Sequence, residues 1–245
     1  MSIKPKNQEL QLFIILSSVF IASLVSCNLI FQKFFSIDIW LPFIGDYKFE
    51  QSVGLLAYPV TFLITDIISE IYGQKRANQV VASGLIASIF ILVLVTVSDL
   101  IPSAKFGTGN IFAYNPATET EQAENIFHIV FGLSSAAVFA SMVAYLFAQF
   151  IDVRLFHFWK NLTQGKHLWL RNNASTILSQ CVDTFLVLFL LCYFNVIPWE
   201  KFGPYFINGF LFKIFFAAFD TPFFYLFSHT LKKKFGLKLN EEVSL

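Results

Sequence analysis

Charge is what this sequence has least of. Only 13% of its 245 residues are Asp, Glu, Lys or Arg, against 56% hydrophobic, and the mean hydropathy is +0.64. Water does not keep such a chain in solution, so a soluble globular domain is excluded. A net charge of +1 with no dominating basic patch offers little to a phosphate backbone, which excludes nucleic acid as a partner. Cysteine is sparse as well. Cys27, Cys181 and Cys192 each fall inside an apolar run, which argues against a disulfide framework and leaves the number odd. Enzyme motifs are missing: there is no H-E-x-x-H, no G-x-S-x-G and no P-loop. His128, His157, His167 and His229 fall at or beyond the ends of the apolar runs, so a buried Ser/His pair has no histidine, and the acids have no histidine beside them for a transition metal. No catalytic residue, metal site or cofactor is expected.

What the chain does have is long apolar runs. A spanning helix takes about 20 mostly apolar residues, and the runs at 10–31, 52–72, 77–98, 134–151, 175–194 and 204–226 each meet that length. The expected fold is an all-α, single-domain bundle of six transmembrane helices over residues 1–245. A short turn at Gly73 to Arg76 joins the second and third spans. A polar loop from Asp99 to about Asn125, with "GTGN" and "YNPATET" as turn chemistry, joins the third and fourth.

Basic residues set the orientation, because cytoplasmic loops carry an excess of Lys and Arg. Lys4, Lys6, Lys75, Arg76, Arg154, Lys160, Lys166, Arg171, Lys232, Lys233, Lys234 and Lys238 fall on one side, and only Lys33, Lys48, Lys105 and Lys201 on the other. Both termini are therefore expected in the cytoplasm. A rival reading takes Lys4, Lys6 and "LVSC" at Cys27 as a lipoprotein signal; removing it would leave five spans and a poorer fit to the basic residues.

Several polar side chains fall where a bilayer excludes them, at roughly 2.5 to 3.5 kcal/mol for each charge at the centre of a span. In "TDIISEIYGQKRA", Asp66 and Glu70 lie four residues apart, on one helical face. In the fifth span Asn173, Thr176, Gln180 and Asp183 stack into a polar stripe, and in the sixth Gly209, Lys213, Ala217 and Asp220 share a face. Asn28 and Gln32 form an amide pair in the first span. Bland readings stand beside these: an Asp183–Lys213 pair that only fastens helices, Asp66 and Glu70 paired at the interface to Lys75 and Arg76, a packing amide at Asn28, and Asp152 with Arg154 snorkelling at the inner end of the fourth span. Pro59 and Pro222 read as breaks in the second and sixth spans. The candidate substrate-binding residues are Asn28, Asp66, Glu70, Gln180, Asp183, Lys213 and Asp220.

Five segments in order carry a family resemblance: "SCN" at 26–28, "YPVTFLITDIISEIYGQKRA" at 58–77, "AYLFAQFIDVRLF" at 144–156, "NASTILSQCVDT" at 173–184 and "NGFLFKIFFAAFDTPFFY" at 208–225. Together they resemble the YhhQ, or vitamin-uptake-transporter-like, family of queuosine precursor transporters, over essentially Leu10 to Leu231. The resemblance implies a six-helix inner-membrane importer of 7-deazaguanine bases: the cyano or aminomethyl precursor of queuosine, or queuine. Such a base presents N1–H and an exocyclic amine as adjacent donors and O6 as an acceptor. One carboxylate accepts from both donors, a role that fits Asp183, with Gln180 or Asn28 near O6, an aromatic ring against the heterocycle, and Lys213 offsetting Asp183 or donating to the ligand. Proton coupling through Asp66, Glu70 and Asp220 stays open, as does a homodimer. The alternatives are a substrate-binding subunit of an ATP-driven uptake system and a non-transporting structural membrane protein.

Overall fold

The computed structural model describes residues 5–31, 33–41, 45–101, 127–128, 131, 135–164, 166–238 and 241–243. Gln32, the polar loop beyond Ile101 and the expected start of the fourth span at Ser134 lie outside them. The elements run α1 (Pro5–Ile30), β1 (Phe34–Leu41), β2 (Gly45–Ser52), a 3-10 turn (Val53–Ala57), α2 (Tyr58–Leu100), α3 (Ser135–Leu162), α4 (Leu168–Tyr193), a 3-10 turn (Trp199–Lys201) and α5 (Phe202–Phe235). Five helices among the described residues are long and apolar enough to cross a membrane.

α2 holds 43 residues, about 65 Å at 1.5 Å per residue and twice the thickness of a hydrocarbon core. It does not run straight. Gly73 takes φ 80° and ψ 172°, a conformation open to a residue without a Cβ, and the chain turns back there. Neighbours on α1 show the reversal. The first limb opposes α1: a Cβ on Gly54 would lie 2.6 Å from the Cys27 carbonyl, while Tyr72 donates to the Glu9 carbonyl at 2.8 Å. The second limb retraces α1 from Arg76 over the Phe13 ring, through Gly84 against Phe20 and Leu24, to Ser88 and Val95 beside Val25 and Asn28.

Two expectations about helix ends are corrected. Pro59 does not break a span; it occupies the first turn of α2, where a backbone N–H has no partner to lose. α3 does not stop at Ile151 but continues to Leu162, because Asp152, His157 and Lys160 turn inward and are buried. His157 lies within this helix and His229 within α5.

Between α1 and α2 the chain is not helical. β1 and β2 pair antiparallel from Phe34↔Ser52 to Leu41↔Gly45, the one departure from an all-α fold among the described residues. Alternation explains it: Tyr47, Phe49 and Gln51 turn toward the bundle while Asp46 and Lys48 are exposed. The hairpin docks on α5 through Tyr47, whose hydroxyl donates to Asn208 Oδ1, through Asn208 Nδ2, which donates to the Glu50 carbonyl at 3.4 Å, and through the Phe49–Phe212 and Phe34–Tyr205 ring stacks.

The core joins Phe20, Leu24, Phe62, Ile68, Ile71, Val81, Tyr145, Val153, Phe156 and Phe224 from α1, α2, α3 and α5. Outside it, Ile14, Ile86, Phe90, Leu211 and Phe215 are each more than half exposed, a belt that only lipid covers favourably. At one end of the bundle Glu9, the Gly73 turn and the C-terminal tail meet, with the Val243 N–H donating to the Ile71 carbonyl at 2.8 Å. The three cysteines are free.

Candidate functional site

A cavity with about 640 Å³ of space, part of it open to solvent, is lined from six elements: Cys27 on α1, Gln51 and Ser52 on β2, Tyr58 on α2, Ser141 on α3, Asp183 and Thr184 on α4, and Gly209 and Lys213 on α5. The walls are apolar apart from these groups, and the hairpin covers one side through Phe34 and Gln51.

Asp183 and Lys213 form an ion pair here, with their side chains 1% and 6% exposed. Lys213 Nζ donates to Asp183 Oδ2 and also lies 4.9 Å from the centre of the Tyr58 ring. The other carboxylate oxygen, Oδ1, has no hydrogen-bond partner. An acceptor left open in a buried cavity costs free energy until a donor arrives. A carboxylate, a cation and an aromatic ring thus stand together in the lining of one pocket.

The remaining candidates do not share this cavity. Gln180 and Asp220 line a smaller one, of about 260 Å³, together with Thr176, Tyr58 and Lys213, so that Lys213 and Tyr58 stand between the two spaces. Gln180 is buried, and neither atom of its amide has a partner. Asn28 lies behind Ser141, whose hydroxyl donates to its Oδ1 at 3.2 Å, and it lines a separate space with Ser88 and Val95. Asp66 accepts from Thr176 at 3.5 Å and lies against Asp152. Glu70 is one turn away in a different setting. It pairs with Lys160 at 3.9 Å and with Lys232, and Lys160 in turn holds Glu242 of the C-terminal tail at 2.8 Å. Lysines from α3 and α5 thus answer Glu70. Asp152 does not snorkel: it is wholly buried and accepts from Ser179 at 2.9 Å, while Arg154 is exposed.

Sequence reasoning missed Gln51, Ser141, Thr184 and Tyr205 as wall residues. For Gln51 the signal was present in the alternation of β2, which aims it to the same side as Tyr47 and Phe49. Its amide donates to the Tyr205 carbonyl at 3.5 Å, and a Cβ on Gly209 would come within 2.8 Å of it. At the exposed rim, the Lys48 ammonium, 3.0 Å from Glu50, draws that carboxyl below its ordinary range by hydrogen bonding, and Lys201 adds attraction at 3.8 Å. The same bond raises Lys48. Among the described residues no three His, Cys, Asp or Glu side chains group as a metal site would need.

Comparison with known proteins decides the family. A family model described as "Putative vitamin uptake transporter" matches residues 52–227, well over half of the chain. The chain belongs to the vitamin uptake transporter family. Two relatives share its length as well as its pattern. A Bacillus subtilis (strain 168) protein named "Probable queuosine precursor transporter" is 25% identical over 180 residues, covering 73% of this chain and 72% of that one. A protein of the same name from Haemophilus influenzae (strain ATCC 51907 / DSM 11121 / KW20 / Rd) is 25% identical over 217 residues, covering 85% and 83%. No solved structure matches the chain. The matched region of this vitamin uptake transporter runs from the end of β2 into α5, and so contains Asp66, Asp152, Gln180, Asp183, Lys213 and Asp220. It is a multi-pass membrane transporter.

Proposed function

We propose that this transporter imports queuosine precursors, 7-deazaguanine bases, across the inner membrane, and that Asp183 reads the base. The observation that carries the reading is a buried Asp183 in the lining of the cavity, paired with Lys213 through one oxygen and with the other unpartnered among the described residues. A bound base places N1–H and its exocyclic amine against the carboxylate, while Tyr58 supplies an aromatic face and Ser141, Thr184 or Gln51 reaches O6. The names of both relatives support this substrate class.

The chain crosses the membrane six times in this reading, the limbs of α2 on either side of Gly73 counting as two crossings. Support comes from their opposite courses along α1 and from the shared end at which Glu9, Gly73 and Val243 meet. The basic residues assign that end to the cytoplasm, so the hairpin and the 640 Å³ cavity face outward.

The test is uptake in a bacterial host lacking both its own importer and the pathway that makes the precursor, with queuosine in tRNA as the readout. Queuosine returns when this chain is expressed and a precursor is supplied. Its absence with each of the cyano, aminomethyl and queuine compounds overturns the proposal.

A further inference from the structure

Buried charges in this bundle are matched, with one exception. Asp183 has Lys213, and Glu70 has Lys160 and Lys232. Asp66 of α2 and Asp152 of α3, 2% and 0% exposed, have each other and no ion-pair partner among the described residues. Their surroundings on α4 are hydroxyls: Thr176 faces Asp66 Oδ2 at 3.5 Å and Ser179 donates to Asp152 Oδ1 at 2.9 Å. By hydrogen-bond geometry Asp66 Oδ1 and Asp152 Oδ2 have no donor among the described residues, although Ser175 and Thr176 also lie close to Asp152.

Two ionised carboxylates in contact repel one another, and a low-dielectric setting strengthens the repulsion. A proton between them removes one charge and supplies a missing donor. We infer that the Asp66–Asp152 pair is the coupling site of the transporter, binding one proton that crosses with each substrate molecule; this rests on the import reading above.

A second observation connects the pair to the substrate cavity. Gln180, 2% exposed and with neither amide atom partnered, lines the smaller cavity between Thr176 and Lys213. Thr176, Gln180 and Asp183 follow one face of α4, and Thr176 and Asp183 lie about 10 Å apart along the axis. An amide that can both donate and accept thus stands unpartnered between a hydroxyl on the acid pair and the lysine on Asp183, placed to bond to either when the site changes. The other ionisable groups around the pair are few. α5 brings the half-buried Asp220, α2 brings Glu70 with its two lysines, α3 brings His157 and the exposed Arg154, α4 brings none between Thr176 and Gln180, and α1 carries no charge between Glu9 and its end.

Two measurements on the full chain, reconstituted in vesicles of phosphatidylethanolamine and phosphatidylglycerol, test the inference. In the first, labelled 7-cyano-7-deazaguanine is added with the membrane potential clamped. An inward proton gradient of one pH unit corresponds to about tenfold accumulation for one proton per substrate. Wild type is expected to approach that ratio, and Asp66→Asn and Asp152→Asn to fall to equal concentrations. Wild-type counterflow without concentrative uptake, accumulation driven by a sodium gradient at equal pH, or variants that still respond to the proton gradient would each overturn it. The second needs no substrate: infrared difference spectra across a pH step should show the carbonyl stretch of a buried protonated carboxyl, lost in both Asn variants and kept in Asp183→Asn. A wild-type spectrum without that band, or a band untouched by either substitution, overturns the inference even where counterflow fails and the import reading has fallen for its own reasons. Where an Asn variant does not fold, the wild-type spectrum and gradient response decide.

Discussion

Asp183→Asn separates recognition from fastening. The carboxylate accepts from Lys213 with one oxygen and leaves the other open. An amide in its place keeps one acceptor and turns an NH₂ toward the ligand's donors, so at least one charge-assisted hydrogen bond is lost and a donor faces a donor. Such a bond contributes about 1.5 to 3 kcal/mol, and an unmet buried donor adds to the loss, so a total of roughly 2 to 4 kcal/mol is expected. Affinity should then fall between roughly 30-fold and 1,000-fold. Equilibrium binding of labelled 7-cyano-7-deazaguanine to the purified protein measures it directly. Lys213→Met sharpens the test. Removing the cation strands a buried carboxylate, which costs about 3 to 5 kcal/mol of stability, and the double variant Asp183→Asn with Lys213→Met should recover most of it by removing both charges. If the pair only holds α4 to α5, the double variant regains binding along with stability. Binding in Asp183→Asn within threefold of wild type, or full binding in the stable double variant, would refute the assignment.

Other consequences follow from the two ends of the bundle. Lys160 is buried, with Glu70 at 3.9 Å and Glu242 at 2.8 Å; Glu242 is partly exposed, so Glu242→Ala should cost only about 1 to 2 kcal/mol, seen as a lower midpoint of thermal unfolding in detergent with binding unchanged. At the hairpin end the sign of the pH effect is fixed by Glu50, whose carboxyl is held below its ordinary value of 4.5 by Lys48. Its contribution to hairpin docking is present above that value and is lost as pH falls through the lowered one. Amide exchange in β2 should therefore quicken on acidification, and Glu50→Gln should remove that dependence.

Hydropathy made the helices legible, because a bilayer demands long apolar runs whatever the partners are, and the reversal at Gly73 was visible as "YGQKRA" between two such runs. The hairpin was hidden for the opposite reason. Its stretches of alternating apolar and polar residues are too short to read as spans, and they pair with one another over only eight residues each. The Asp183–Lys213 pairing was anticipated from residues on separate helices, while the dispersal of Asn28, Asp66 and Glu70 away from that cavity was not, since helical spacing gives the face of each helix but not which neighbour it meets. Asp152 is the sharpest case. Beside Arg154 at the end of an apolar run it reads as interfacial, and only the packing of α3 on α2 and α4 brings it against Asp66 and Ser179.

By itself the sequence determined that this chain lives in a membrane, where its helices lie and which residue types they carry, because lipid rewards hydrophobic length and penalises charge one residue at a time. Tertiary structure decided which charges are answered: Glu70 by lysines from two other helices, Asp183 by Lys213, and Asp66, among the described residues, by a hydroxyl and another acid. Electrostatic energy depends on distances between side chains far apart in the chain, and those distances exist only once the helices have packed.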